Sequence, residues 1–193
     1  MKQNGLIISV LLLAAVGGGT YLYFKNKDKE ESKNSDKATI DISDPSTRQA
    51  MELFNMLGVS STGGWGLKYF HDIPEERLLN LMLTITDWPK VQEKFRGMCN
   101  NEYSLSKALS DGLTADEYQR AIRYAGAKKV VTTTSAQATI MKGSIPQMPT
   151  FQKNTILGAY TNTANGQYGF INEIDDDGNE VKGSILTTQA KLM

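Results

Sequence analysis

The chain contains very few of the residues from which most catalytic and metal centres are built. Among its 193 residues there is one cysteine, Cys99, and one histidine, His71. A single cysteine excludes an internal disulfide and a zinc cluster made of several thiolates, and a single histidine excludes any site that needs two. Lysine plus arginine and aspartate plus glutamate both total 21, so the net charge indicates neither a nucleic acid nor an acidic substrate as partner.

The few groups that could carry chemistry have simpler structural interpretations. His71 precedes Asp72 at a predicted helix start, but the sequence places no serine or cysteine nucleophile beside the pair. Cys99 follows Met98 near a predicted helix end and is interpreted as a small apolar core residue. No phosphate-binding glycine loop or nucleic-acid stacking motif is present. We therefore predict a protein that is not an enzyme, needs no cofactor or metal, and binds no nucleic acid.

An apolar run near the start of the chain is long enough to cross a bilayer. Residues 6–24 read LIISVLLLAAVGGGTYLYF, which is 19 residues without a charge. At about 1.5 Å per residue, such a helix approaches the roughly 30 Å hydrocarbon core of a bilayer. Aromatic residues at its end are typical of a membrane interface. The side chains that we expect to contact lipid or an apolar protein surface are Leu6, Leu11, Leu12, Leu13, Val16, Tyr21, Tyr23 and Phe24.

Three interpretations of this run are open: an uncleaved membrane anchor, a signal peptide, and a helix buried in a protein assembly. Small residues at 14–17 suit signal cleavage, but the apolar run continues past them and ends in aromatic residues. Gly17, Gly18 and Gly19 suit close packing against another protein backbone. The length of the run and its aromatic end favour the anchor.

The charges that flank the run predict its orientation. Only Lys2 lies before it, whereas five lysines follow. The positive-inside rule then places the bulk of the chain in the cytoplasm of a single-pass membrane protein. Residues 25–43 are nearly free of large apolar side chains, so we expect them to form a charged linker. The five lysines are Lys25, Lys27, Lys29, Lys33 and Lys37.

Residues 44–126 carry start and stop signals for five short helices. Apolar residues recur at helical spacing between these signals, as at Leu78, Leu79, Met82 and Ile85. Glu75 and Glu117 stand three residues after possible N-caps, which is the spacing of a capping box. The predicted N-caps are Asp44, Asp72, Asp87 and Thr114, and the predicted C-terminal glycines are Gly58 and Gly112.

Within this module the run LLNLMLTITDWPKVQEKFRGMCNNEYSLSKALSDGLTADEYQRAI resembles one annexin-type repeat. The pair Val91/Phe95, the pair Leu105/Leu109 and the turn at 111–113 follow the order of that repeat. Gly64-Trp65-Gly66 resembles the glycine loop that opens such repeats in bacterial and phage relatives. The resemblance implies a small helical bundle with a role in interactions.

The annexin resemblance implies calcium binding, but this sequence contains only part of the set of calcium ligands. Family repeats bind calcium through carbonyl groups of the glycine loop and a distant carboxylate, and Gly112 stands at the position of that carboxylate with Asp111 beside it. A calcium site needs about six to eight oxygen ligands, so we predict no metal site. Instead, we expect Trp65, flanked by Gly64 and Gly66, to contact a partner protein.

The last third of the chain favours extended structure. Segments 155–163, 167–174 and 180–188 alternate as strands do, with a hairpin signal at Asn165-Gly166 and a turn signal over 175–179. Lys128-Lys129, where the composition shifts, is interpreted as a solvated end. Because two or three strands alone are marginal in water, we expect the strands to dock on the helices or on neighbouring subunits.

The predicted fold class is therefore mainly α. It comprises an N-terminal hydrophobic helix over residues 1–24, the linker 25–43, an annexin-like helical bundle over 44–126, and a β-hairpin or meander tail over 127–193. We expect a non-enzymatic, membrane-anchored structural protein that forms homo- or hetero-oligomers. The alternative is a phage virion component, such as a tail or neck ring, a connector subunit, or a protein ejected with the genome.

Overall fold

The computed structural model describes residues 42–59 and 73–193. The predicted N-terminal helix, most of the linker, and the loop with Gly64, Trp65 and Gly66 lie outside these ranges. No helix in the described ranges is long and apolar enough to cross a membrane. The five described helices are α1 (Pro45–Met56), α2 (Glu75–Thr84), α3 (Trp88–Met98), α4 (Leu105–Gly112) and α5 (Ala115–Gly126).

The helix ends follow the local sequence signals. The Asp44 carboxylate accepts a hydrogen bond from the Ser46 N–H at 3.2 Å, and the Asp87 carboxylate accepts one from the Lys90 N–H at 3.1 Å. Both bonds satisfy amides that a helix start leaves without a partner. The predicted capping box of Thr114 is confirmed, since both of its hydrogen bonds are present. Gly58 has a φ of 61° just after α1, as a glycine that ends a helix does.

Helix α2 does not begin as the sequence predicted. Helix α2 begins at Glu75, with Pro74 at the N-cap position and no side-chain capping bond. Asp72, the predicted N-cap, lies outside the described residues.

Nine strands follow the helices. They are β1 (Lys129–Thr132), β2 (Ala136–Gln137), β3 (Thr139–Lys142), β4 (Ile145–Gln147), β5 (Thr150–Phe151), β6 (Ile156–Ala164), β7 (Gln167–Ile174), β8 (Glu180–Leu186) and β9 (Ala190–Leu192). Seven of them form one antiparallel sheet in the order β4-β3-β8-β7-β6-β1-β9, and β2 pairs with β5.

The predicted hairpins are confirmed within this sheet. Asn165 and Gly166 join β6 to β7 with φ values of 51° and 72°, which suit the primed turns of two-residue hairpins. The turn between β7 and β8 is held by the Asp175 carboxylate, which accepts the N–H groups of Asp177 at 3.1 Å and Asn179 at 2.7 Å. That carboxylate therefore stabilises a turn.

The predicted fold class, mainly α with a β tail, is wrong. Helices account for 38% and strands for 30% of the described residues, and the strands form a seven-stranded sheet. The missed strands are short, and two of them pair far along the chain: β1 pairs with β9, and β3 with β8. Pairing at such separation leaves no turn signal between the partners, so local patterns do not reveal it.

The outer face of the sheet, defined here as the face that meets the helices, closes the first of two apolar cores. Buried residues of all five helices pack there with Ala159 of β6 and with Ile171 and Ile174 of β7. Helix α2 is fixed to β7 by the Asn80 side chain, which donates to the Ile174 carbonyl at 3.0 Å and accepts from the Ile174 N–H at 2.7 Å. Because β6 pairs with β7 only as far as Ile171, Asn80 replaces the missing strand partner.

The inner face of the sheet carries the second core. Its buried residues include Val130, Ile140, Leu157, Phe170 and Ile185, and none of its members comes from a helix. These residues pack against one another and against residues of the β2–β5 pair, which belong to the same cluster. The strands thus have a core of their own, which the predicted tail did not include.

The burial of Lys129 contradicts the interpretation of Lys128-Lys129 as a solvated end. Lys129 is 1% exposed, and its ammonium donates to the carbonyl of Tyr124 near the end of α5. A carbonyl at a helix C-terminus attracts a cation, but burial still lowers the pKa of Lys129 to about 8. The interpretation of Lys128-Lys129 as a solvated end therefore holds for Lys128, which is exposed, and fails for Lys129.

We predict that Gly183→Ala destabilises the sheet. A Cβ at this position of β8 would lie 2.6 Å from the Phe170 ring and 2.7 Å from Ile140 Cδ1, in the inner core. Overpacking of this kind costs about 1–3 kcal/mol in the free energy of unfolding, measured by urea denaturation. Gly97→Ala is the control, since nothing lies within 4 Å of its Cβ, and it should stabilise α3 by roughly 0.5–1 kcal/mol. Equal effects of both changes would contradict the packing described.

We also predict that Lys129 makes stability rise with pH. Its pKa is lower in the folded state, so above about pH 8 the unfolded state binds more protons and the free energy of unfolding increases. From about pH 7.5 to 9 the gain should be roughly 1 kcal/mol, measured by urea denaturation at each pH. Cys99, whose folded-state pKa burial raises to about 11, opposes the trend once the unfolded thiol begins to ionise at about pH 8.5, so the difference between the wild type and a Lys129 variant isolates the contribution of the lysine.

In that experiment Lys129→Met should remove the gain, and Lys128→Met should keep it. An identical pH slope in the wild type and in Lys129→Met would show that another group titrates.

Candidate interaction groove

A groove runs between helix α5 and the outer face of strand β8. It has a volume of about 660 Å³ and is open to solvent. The residues that line this α5 groove are Asp116, Gln119, Arg120, Arg123, Gly178, Asn179, Glu180 and Lys182. Three cations and two carboxylates among these residues give the walls an excess of positive charge.

The closed end of the α5 groove is held by hydrogen bonds between helix and strand. Glu180 Oε1 accepts from the Tyr124 hydroxyl at 2.7 Å and from Arg123 Nη2 at 2.6 Å. Arg120 Nη2 donates to the Gly178 carbonyl at 2.8 Å. Tyr124 is fully buried, and desolvation first of all raises the pKa of its hydroxyl, which keeps it a donor. These contacts fix α5 on the β7–β8 turn, so the groove has a defined width at this end.

Beyond α5, the described helices leave the outer face of the sheet open. Directly paired residues point to one side of a sheet, so Met141, which pairs with Lys182 and with Pro146, shares the outer face with both. Met148 follows on the same side, because the chain continues beside β3 until the Ala138 N–H donates to the Pro149 carbonyl at 3.2 Å. The open sheet face, as we call it, consists of Thr139, Met141, Pro146, Met148, Lys182, Ser184 and Leu186.

Large apolar side chains of this face are exposed. Met148 is 62% exposed, Leu186 45% and Met141 40%. Single exposed apolar residues are ordinary, but several on one face are typical of a contact surface. Ile145, 69% exposed, adds a fourth apolar residue on the other side of the β3–β4 hairpin.

The edge of strand β4 is less suited to contact than this face. All three of its residues are exposed, and Pro146 stands in the middle. Lys142 and Ile145 close a two-residue hairpin, so the next pair, Met141 with Pro146, points its backbone groups outward. Proline has no N–H to offer there, which blunts the edge against the addition of another strand.

A second cleft, of about 390 Å³, lies on the other side of the β7–β8 turn. Its acidic residues are Glu76, Glu173, Asp175, Asp176 and Asp177, and Lys142 Nζ bonds Glu173 Oε1 at 2.7 Å. Within the described ranges no three such side chains are placed so that they could hold a metal ion. The cleft is therefore a solvated acidic surface.

The candidate residues from the sequence do not come together in this groove. The Asp111 carboxylate is engaged by the Tyr103 hydroxyl at 2.6 Å and by Lys107 Nζ at 2.9 Å. Cys99 is fully buried, which confirms its interpretation as a core residue. Trp65, with its two flanking glycines, and His71 lie outside the described residues.

The α5 groove and the open sheet face were not found from the sequence. Arg120, Arg123 and Glu180 read as ordinary surface charges, and Met141 stands next to Ile140 in a short segment with no clear pattern. Two weak signals were available: Pro146 within a strand, and the Arg120/Arg123 pair on one face of a helix. Only the pairing register of β3 with β8 shows that these two features lie on the same side of the sheet.

No protein-family model, no curated protein and no solved structure matches this chain. The annexin-type resemblance of residues 44–126 therefore stays a prediction.

We predict that lysine substitutions on the two faces of the sheet differ strongly in their effect on the free energy of unfolding. Met141→Lys and Leu186→Lys on the open sheet face should change the free energy of unfolding by less than about 0.5 kcal/mol. Ile140→Lys and Ile185→Lys, one residue away but in the inner core, should cost more than about 3 kcal/mol because they bury an unpaired charge. Urea denaturation measures both, and a large cost for Met141→Lys would place this residue in a core.

Proposed function

We propose that this chain is a non-enzymatic, membrane-anchored structural protein, and that residues 42–193 are its interaction module. The observation that carries the proposal is the uncharged apolar run at 6–24. Its ten Leu, Ile, Val and Phe residues favour membrane insertion by about 3–6 kcal/mol in total. Such a run needs an apolar host, and the length of a bilayer-spanning helix makes lipid the best host.

The described module supports an interaction role. At the closed end of the α5 groove, Glu180 is engaged by Arg123 and Tyr124, and Arg120 donates to the Gly178 carbonyl. Three exposed large apolar residues, Met141, Met148 and Leu186, lie together on the open sheet face. Burial of an apolar face is the main source of affinity between proteins. The features that remain for function are therefore those of a contact surface.

Membrane fractionation of the full-length protein tests the anchor. We expect the wild-type chain to sediment with membranes and to resist alkaline carbonate extraction. Leu12→Arg combined with Val16→Arg should move it to the soluble fraction, since each arginine at the centre of a membrane helix costs about 2.5–3.5 kcal/mol, enough together to cancel insertion.

The matched control places the same two charges in the linker, as Ser32→Arg with Asn34→Arg, and should leave the protein in the membrane pellet. Recovery of the wild-type, full-length chain in the soluble fraction would refute the anchor and with it the proposed location.

The alternative function, a virion component, is favoured by the same open sheet face, because ring and connector subunits bury such faces against neighbours. Mass spectrometry of purified virus particles decides between the two. Stoichiometric presence of the chain in particles, with none in host membranes, would replace the membrane proposal.

A further inference from the structure

We propose that the α5 groove and the open sheet face bind one amphipathic α-helix of a partner protein, with acidic residues along the flank that faces α5. The inference rests on the proposed function, since it names the kind of partner that the interaction module takes.

The open face has the width of one helix. Strands β8, β3 and β4 are adjacent, and neighbouring strands lie about 4.8 Å apart, so the three span roughly 10 Å. This matches the diameter of about 10 Å of an α-helix with its side chains. The described helices cover β6 and β7 through α2, so a further helix would continue the same layer.

The apolar residues of the face fit the apolar stripe of a helix. Met141 and Met148 come from neighbouring segments of the β3–β4 hairpin, and Leu186 lies four residues beyond Lys182 on β8. Methionine adapts its shape to different partners and is common at helix-binding surfaces. Thr139 and Ser184, which pair directly, are small and leave room between the methionines and Leu186.

Charge decides which helix fits. Lys182 is exposed on the floor, and Arg120 and Arg123 line the wall on α5. The groove has two acidic residues, Asp116 and Glu180. Glu180 is already engaged by Arg123 and Tyr124. A helix that covers Lys182 without a counter-charge would bury an unpaired ammonium, which is costly. Carboxylates on the α5-facing flank of the partner remove this cost and pair with the arginines.

A strand is a poorer occupant than a helix. Strand addition requires a row of free backbone donors and acceptors along an edge, and Pro146 interrupts that row on β4. The open sheet face offers side chains instead, which is what a helix binds.

The test uses the full-length protein in phosphatidylcholine nanodiscs and a fluorescent synthetic helix. The peptide has about 14 residues, roughly 21 Å in length, with leucines at i, i+3, i+4 and i+7 and glutamates on one flank. A matched peptide carries lysines in place of the glutamates, and empty nanodiscs measure binding to lipid. Fluorescence anisotropy should show the acidic peptide binding at least about tenfold more tightly than the basic one.

Two substitutions in the protein complete the test. Met141→Lys and Lys182→Glu should each weaken binding of the acidic peptide by about tenfold or more, and Lys182→Glu should improve binding of the basic peptide. Met193→Lys is the control: it makes the same change at a methionine that is 55% exposed but lies beside β1 at the opposite edge of the sheet. It should leave the affinity unchanged.

Equal binding of both peptides, or binding that Met141→Lys does not alter, would overturn the inference. So would a wild-type dimer in analytical ultracentrifugation that Met141→Lys converts to monomers, since a second copy would then occupy the face. The result is separable from the proposed function. A chain that sediments with membranes but binds no acidic helix refutes only the groove assignment, whereas a soluble chain that binds the helix refutes only the anchor.

Discussion

Strand β7 has apolar side chains on both of its faces, and the burial of both is the constraint on which the rest of the structure depends. Phe170 points into the inner core, while Ile171 and Ile174 point to the helices, and all three are at most 5% exposed. A strand of this kind must lie in the middle of a sheet with cover on each side. The helices supply one cover, and residues of other strands, including the β2–β5 pair, supply the other.

The layer of helices covers only part of the outer face of the sheet, and the candidate function follows from the part that it does not cover. Helices α2 and α5 reach β6, β7 and the start of β8, but the outer face of β3 and β4 lies beyond them. Met141 and Met148 are exposed there, although they belong to a hairpin whose Ile140 is buried in the inner core. The open sheet face is thus the part of a two-layer architecture that the described helices leave uncovered.

Signals contained in a few neighbouring residues predicted much of the fold correctly. The caps at Asp44, Asp87 and Thr114, and the hairpin at Asn165-Gly166, are where the sequence indicated. Each depends on a side chain and a backbone group within four residues of each other, so context has little influence. Lys129 shows the limit of local reading. Its charge indicated a solvated position, but the packing of β1 under the end of α5 buries it.

The sequence by itself determined where most of the described helices begin and end and where the chain reverses, because these properties depend on local hydrogen bonds. Only the tertiary structure decided that the strands form one large sheet and that Met141 is exposed while Ile140 is buried. The physical reason is that both outcomes depend on the register of β3 against β8, whose paired residues lie more than forty positions apart.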